Sequence, residues 1–229
     1  MWKIDSSLIS SFVATMQDRR KTKSYFNLVS KLKIANRKDI KTAVEKVYIW
    51  GVPFKIFSSY KKSGFTKNID DITDALHNYF NKHANTPNNQ NTFDIFHKKL
   101  CDLFKNGNSY TYGNAQKHIN MIFKYLTTFS DYNKFDSLFS YCHMPIDRTI
   151  LKIFSGVVKG CSNGAYNGTP WTSLTETQYK DLLDEYRKSI KKNSQESFLS
   201  FEYRCWAIKK LPPILTKGVR TRSVNRFYM

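Results

Sequence analysis

Gly113-Asn114-Ala115-Gln116-Lys117 and Pro145-Ile146-Asp147-Arg148-Thr149-Ile150-Leu151-Lys152-Ile153 each open a run of apolar residues at helical spacing. Ala115, Ile119, Ile122, Phe123 and Leu126 recur at three- and four-residue steps after the first stretch, and Ile146, Ile150, Ile153, Phe154 and Val157 after the second. The first reads as a helix from about Asn114 to the 127–133 region. The second reads as a helix with Pro145 at its first position, where a fixed φ suits the helix and the missing N–H is no loss.

The same periodicity extends in both directions. Ile4, Leu8, Phe12 and Met16 share one face, as do Ile40, Val44 and Val47 before Trp50-Gly51-Val52-Pro53 stops the run. Asn68 is placed to cap a segment carrying Ile72, Leu76, Tyr79 and Phe80, with Asp70, Asp71 and Asp74 near its dipole-positive end. Thr92 is placed to cap Phe93, Phe96, Leu100 and Phe104, a run that Asn106-Gly107 ends. Beyond a Gly/Asn-rich loop at 160–168, Trp171 precedes Tyr179, Leu182, Leu183, Tyr186 and Ile190, and a last segment holds Phe198, Phe201 and Trp206. No run of strict alternation competes with these, so the expected fold is all-α.

Asn85-Thr86-Pro87-Asn88-Asn89-Gln90-Asn91 is polar and reads as a loop between an N-terminal helical lobe, 1–84, and a second lobe, 92–208, with a basic tail over 209–229. Two helical lobes with a cleft between them are the expected architecture. A chain of 229 residues that is 41% hydrophobic has enough apolar surface to bury a sizeable core.

Charge narrows the partner. There are 37 Lys and Arg against 18 Asp and Glu, a formal net charge of +19, which favours a polyanion. Between Arg19 and Lys41 nine basic residues face one acidic one, and between Arg187 and Arg226 eleven face two. Singly, each cluster is no more than a solvated helix face or a basic tail; together they favour a phosphate-tracking surface. No basic amphipathic helix, lipid anchor, signal segment or long apolar run points to a membrane. The expectation is an intracellular monomer that binds DNA, cytoplasmic in general, at the nucleoid in a bacterium and nuclear in a eukaryote.

Cys101, Cys142, Cys161 and Cys205 form no C-x-x-C pair, and the five histidines do not sit at metal-ligand spacing around them. Reduced thiols are expected, with no metal and no cofactor.

Lys117 lies in the first turn of its predicted helix. There the dipole and partial burial disfavour an ammonium and push the amine toward its nucleophilic form. Most first-turn lysines are nonetheless inert or only touch phosphate, and a carboxylate in a first turn, as at Asp147, is what helix energetics prefer anyway.

Around both residues the chain resembles the helix-hairpin-helix DNA glycosylase superfamily, over roughly residues 92 to 158. Those enzymes place a lysine four positions after the last glycine of a hairpin, as Gly113 and Lys117 are placed here. They then carry a Pro-Val-Asp-type motif with apolar, basic and apolar residues three, five and six positions after the aspartate. Pro145-Ile146-Asp147, Ile150, Lys152 and Ile153 fill those positions. The hairpin reads Ser109-Tyr110-Thr111-Tyr112-Gly113 instead of a Pro-Gly-Val-Gly type, and no iron–sulfur cysteine cluster follows. The Lys-to-Asp interval, 147 − 117 = 30 residues, is closest to archaeal-type 8-oxoguanine DNA glycosylases.

The resemblance implies a glycosylase with AP-lyase activity. Lys117 would attack the sugar carbon and form a Schiff base, while Asp147 assists the amine and stabilises positive charge on the sugar. Tyr112, Gly113, Asn114, Gln116, Arg148 and Lys152 would contact DNA, and the damaged or modified base would leave the stack. Tyr110, Tyr112, Tyr141 and Trp171, predicted in turns, are stacking candidates, and His118 and His143 are neighbours able to orient substrate. The alternative is a non-enzymatic helical nucleic-acid-binding protein, in host defence or mobile-element control, in which Lys117 only touches phosphate.

Overall fold

The computed structural model describes residues 4–18, 23–51, 65–84, 86, 88–106, 110–148, 150–151, 170–193 and 197–210. The fold is all-α, and no strand occurs among the described residues. In chain order the helices are α1 (Ser6–Gln17), α2 (Lys23–Phe26), α3 (Arg37–Gly51), α4 (Phe65–His83), α5 (Gln90–Lys105), α6 (Tyr112–Leu126), α7 (Asp136–Phe139), α8 (Glu176–Asn193) and α9 (Phe198–Lys210). Short 3-10 turns lie at Val29–Lys31, Tyr132–Phe135 and Trp171–Ser173.

Local chemistry sets the helix starts. Asp5 caps α1 by accepting from Ser7 N at 2.8 Å, and Thr111 caps α6 by accepting from Asn114 N at 3.2 Å. At α5 the cap is Asn89, which accepts from Thr92 N at 2.9 Å, so Thr92 is the capped residue and not the cap. Likewise α4 begins at Phe65, upstream of Asn68. The Asn68 amide is used elsewhere: its Nδ2 donates to Asn106 O at 2.8 Å and satisfies a carbonyl at the end of α5.

The central element is α6. It packs against α3 on one side and α5 on another, and twelve of its fifteen residues are buried. The exceptions, Asn114, Lys117 and Met121, fall at i, i+3 and i+7 and form one narrow, half-buried strip. Among the described residues the apolar side chains from Ile4 to Cys205 form one core around α6, drawn both from α1–α4 and from α5 onward. Phe12 of α1 meets Phe26, Tyr125 and Tyr203 edge-on or tilted, and Phe80, Phe93, Phe123, Phe135 and Phe139 form a second aromatic group. The 33–36 turn is tied to the later chain by Asp131, whose carboxylate accepts from Ile34 N at 2.7 Å and Ala35 N at 3.2 Å.

The segment before Asp147 differs from its expected form. Residues 142–147 are not helical, and helical structure resumes only at Arg148. Pro145 is therefore buried in a non-helical run and does not open the helix. Asp147 is the capping residue: its Oδ1 accepts from Ile150 N at 3.1 Å, and its carbonyl accepts from Leu151 N at 2.9 Å.

Candidate active site

Lys117 and Asp147 come together. Lys117 Nζ lies 4.0 Å from Asp147 Oδ2, with the two side chains 25% and 35% exposed, accessible to a reactant yet out of bulk water. One carboxylate oxygen caps the helix and the other faces the amine, so the cap orients the charge.

What holds Asp147 at that distance is a pair of buried amides on α6. Gln116 is fully buried; its Nε2 donates to Ile146 O at 2.8 Å and Gly113 O at 3.0 Å, and its Oε1 accepts from Ile146 N at 3.1 Å. One turn on, Asn120 Nδ2 donates to Met144 O at 3.0 Å. The two side chains thus take over the backbone hydrogen bonding that residues 144–146 would otherwise find in a helix. They also register the segment against the same helix that carries Lys117.

The polar network continues inward. Asn120 Nδ2 also reaches Tyr179 Oη at 2.9 Å, while Asn120 Oδ1 accepts from His97 Nε2 at 2.9 Å. His143 places Nε2 at 2.8 Å from Asp94 Oδ1 and Nδ1 at 3.0 Å from Tyr179 Oη. A neutral His143 donating to Asp94 and accepting from the tyrosine hydroxyl satisfies all three groups. Burial drives His143 below the ordinary imidazole range against the pull of Asp94, and drives His97 lower still. Burial raises Asp94, but His143, Gln90 and Arg187 outweigh it and hold the carboxyl down at about 2.

A second lysine–carboxylate pair lies deeper along α6. Lys124, seven residues after Lys117, is buried and sits 2.5 Å from Glu202 of α9, with its amine over the rings of Phe12 and Tyr203 at 4.3 and 4.7 Å. Burial lowers the lysine and raises the glutamate, each opposed by the other. Asp147 and Lys117 act on Glu202 through their charges as well, so the two pairs are electrostatically linked.

The 3-10 turn at Trp171–Ser173 closes the site over the start of α6. Gly113 N donates to Leu174 O at 2.9 Å, the Thr111 hydroxyl bonds Thr172 O, and the Trp171 ring centroid lies 4.3 Å from Lys117 Nζ.

The predicted DNA contacts divide by burial. Tyr112 and Gly113 are buried; Gly113 is inside the first turn of α6 and not in the preceding hairpin turn, and its N–H is taken by Leu174. Gln116 is sequestered in the network above. Asn114 is half-buried and Arg148 exposed, while Lys152 lies outside the described residues. Tyr110, Tyr141 and Trp171 are partly exposed. His118 is buried, its ring stacked on Phe104 at 4.8 Å and its Nδ1 2.7 Å from Asn114 O. Among the basic clusters, Arg37 and Lys41 bridge to Asp70 and Asp74, and Arg187 bridges to Asp94 and Asp184. Arg19, Arg20, Lys21 and the tail over 211–229 lie outside the described residues, as do Cys161, Ile153, Phe154 and Val157.

The Asp94–His143–Tyr179–Asn120 chain was not foreseen from sequence. Its one local signal is a pair of amides, Gln116 and Asn120, four residues apart on the apolar face of α6. Among the described residues no group of three or more His, Cys, Asp or Glu is placed to hold a metal ion, and no helix is long and apolar enough to cross a membrane. No protein-family model, curated protein or solved structure matches the chain.

Proposed function

We propose that this chain is a DNA glycosylase with AP-lyase activity, with Lys117 as the nucleophile and Asp147 as its electrostatic partner. The observation that carries this reading is the 4.0 Å approach of the Lys117 amine to Asp147 Oδ2, 30 positions on in the chain, with both groups partly accessible. In the reaction, the amine, after giving its ammonium proton to solvent, bonds to the sugar C1′ as the C1′–base bond breaks, and the base leaves with that electron pair and takes up a proton from solvent. The sugar passes through an oxocarbenium-like state, which a carboxylate beside the ring stabilises. The attached nitrogen then gives a proton to the ring oxygen as the C1′–O4′ bond breaks, and its electron pair forms the C=N bond of the protonated Schiff base from which strand cleavage proceeds. The target base has to leave the duplex to be reached, and the net charge of +19 supports a DNA partner.

Borohydride trapping tests the reading. Wild-type protein is expected to form a reducible covalent adduct with DNA carrying a damaged or modified base, and Lys117→Gln to abolish it while leaving binding nearly intact. Asp147→Asn keeps a competent cap, because asparagine caps as well as aspartate; the variant therefore removes charge alone and should slow base release by about 100-fold. No base release and no lysine-dependent adduct across a panel of damaged and modified bases would leave a nucleic-acid-binding protein as the better description.

A further inference from the structure

The spacing of Gly113 and Lys117 has a physical consequence at the Trp171 turn. Four residues apart, the two occupy one face of α6, a turn apart. A Cβ on Gly113 would stand 2.0 Å from Trp171 O and 3.0 Å from Leu174 N. The glycine therefore admits the backbone of the 171–174 turn against the helix, and the bonds from Gly113 N and the Thr111 hydroxyl fix it there. With the backbone docked one turn before Lys117, the indole reaches the lysine, 4.3 Å from Nζ to ring centroid. Trp171 is only partly buried, so the ring and the amine share the accessible side of the site.

We propose that Trp171 is a positioning residue for Lys117, its indole face holding the amine beside Asp147 Oδ2 and favouring the ammonium form. The proposal rests on the reading of Lys117 as the reacting amine. An aromatic face attracts a cation through its quadrupole, most strongly for tryptophan. Asp147 from its loop acts in the same direction, Lys124 on the same helix opposes it, and Glu202 of α9 balances Lys124. Because α6 begins at Tyr112, Lys117 stands in its second turn and not in the first, where the dipole would push the amine toward its neutral form; the amine is held aimed and charged, and gives its proton to solvent before it attacks.

The measurement is the acylation rate of Lys117 by acetic anhydride as a function of pH, read by mass spectrometry on the full chain, in wild type, Trp171→Leu and Trp171→Phe. Leucine keeps the site apolar but has no quadrupole, and the turn stays docked through backbone atoms that neither substitution touches. At pH 8 the leucine variant should be acylated about 3-fold faster, through a midpoint moved to lower pH, and the phenylalanine variant should fall between it and wild type. An unmoved midpoint in Trp171→Leu, or a change confined to the high-pH plateau, overturns the proposal, because either would mean that the ring only limits access. The readout needs no DNA. A shifted midpoint without borohydride trapping would keep the positioning role and remove the glycosylase reading. Trapping with an unmoved midpoint would do the reverse.

Discussion

Lys124 and Lys117 are the same residue type on the same helix and have opposite fates. Lys117 stands on the half-buried strip, whereas Lys124 is 1% exposed and committed to Glu202. A buried ion pair is a weak source of net stability because both charges lose water, but removing one partner strands the other. Lys124→Met should therefore cost about 3–5 kcal/mol in urea denaturation, while Lys124→Met combined with Glu202→Leu should recover most of that loss. Equal losses in the single and double variants would show that the lysine stem, not the charge, matters. Sequence distinguishes these lysines poorly, since polarity is visible in a residue list and burial is not. The same limit placed Gln116 on the DNA, because a glutamine beside a candidate catalytic lysine looks like a surface contact. Its actual partners, Gly113 O and both backbone groups of Ile146, include a segment 30 residues away. That Lys117 and Asp147 stand near one another was expected only from the family resemblance of the stretches around them, not from anything local to either residue.

At the level of elements, helix identity was legible and helix boundaries less so. Apolar periodicity marks the buried face of a helix wherever its partners lie, and so it located α1, α3, α4, α5, α6, α8 and α9. Boundaries depend on which group satisfies the terminal amides, and at two helix starts that group is a different local residue from the expected one, Asn89 in place of Thr92 and Asp147 in place of a start at Pro145. Residues 144–146 stay out of the helix because Gln116 and Asn120 supply their hydrogen bonds, which is why Pro145 does not mark its start. The first turn of α6 offers a test in which two effects oppose each other in sign. Alanine is a better helix former than glycine by about 1 kcal/mol, so Gly113→Ala in an isolated helix would stabilise. In the folded chain the added methyl meets Trp171 O at 2.0 Å, and overpacking of that kind costs about 1–3 kcal/mol or more. Net destabilisation of up to about 2 kcal/mol in chemical denaturation, with altered tryptophan fluorescence, is expected. A stabilised Gly113→Ala would show that the 171–174 turn can yield without cost, and would detach that turn from the Gly113–Lys117 spacing.

At the scale of the molecule, one core among the described residues ties α1–α4 to the helices from α5 onward, and the polar network at Asp94 sits where α5, α6 and α8 meet. That network makes stability depend on pH in a defined direction. His97 and His143 are held neutral by burial, with folded pKa values below the ordinary imidazole value of about 6.5. Below that pH the unfolded chain binds more protons than the folded one, so their contribution is present above pH about 6.5 and is lost as pH falls through the depressed folded values. Asp94, also depressed, keeps its contribution until pH falls below the unfolded aspartate range of about 4, and loses it on the way to about 2. Acid should therefore remove stability in two stages, with the histidine stage first. Urea midpoints taken from pH 8 to pH 4 should be flat above about pH 7 and fall below about pH 6.5. His143→Gln, which cannot take up a proton in this range, should start from a lower midpoint and show a shallower fall. A histidine variant with the full wild-type slope would place the acid sensitivity outside this network, and a midpoint that rises on acidification would reverse the sign argued for the buried rings.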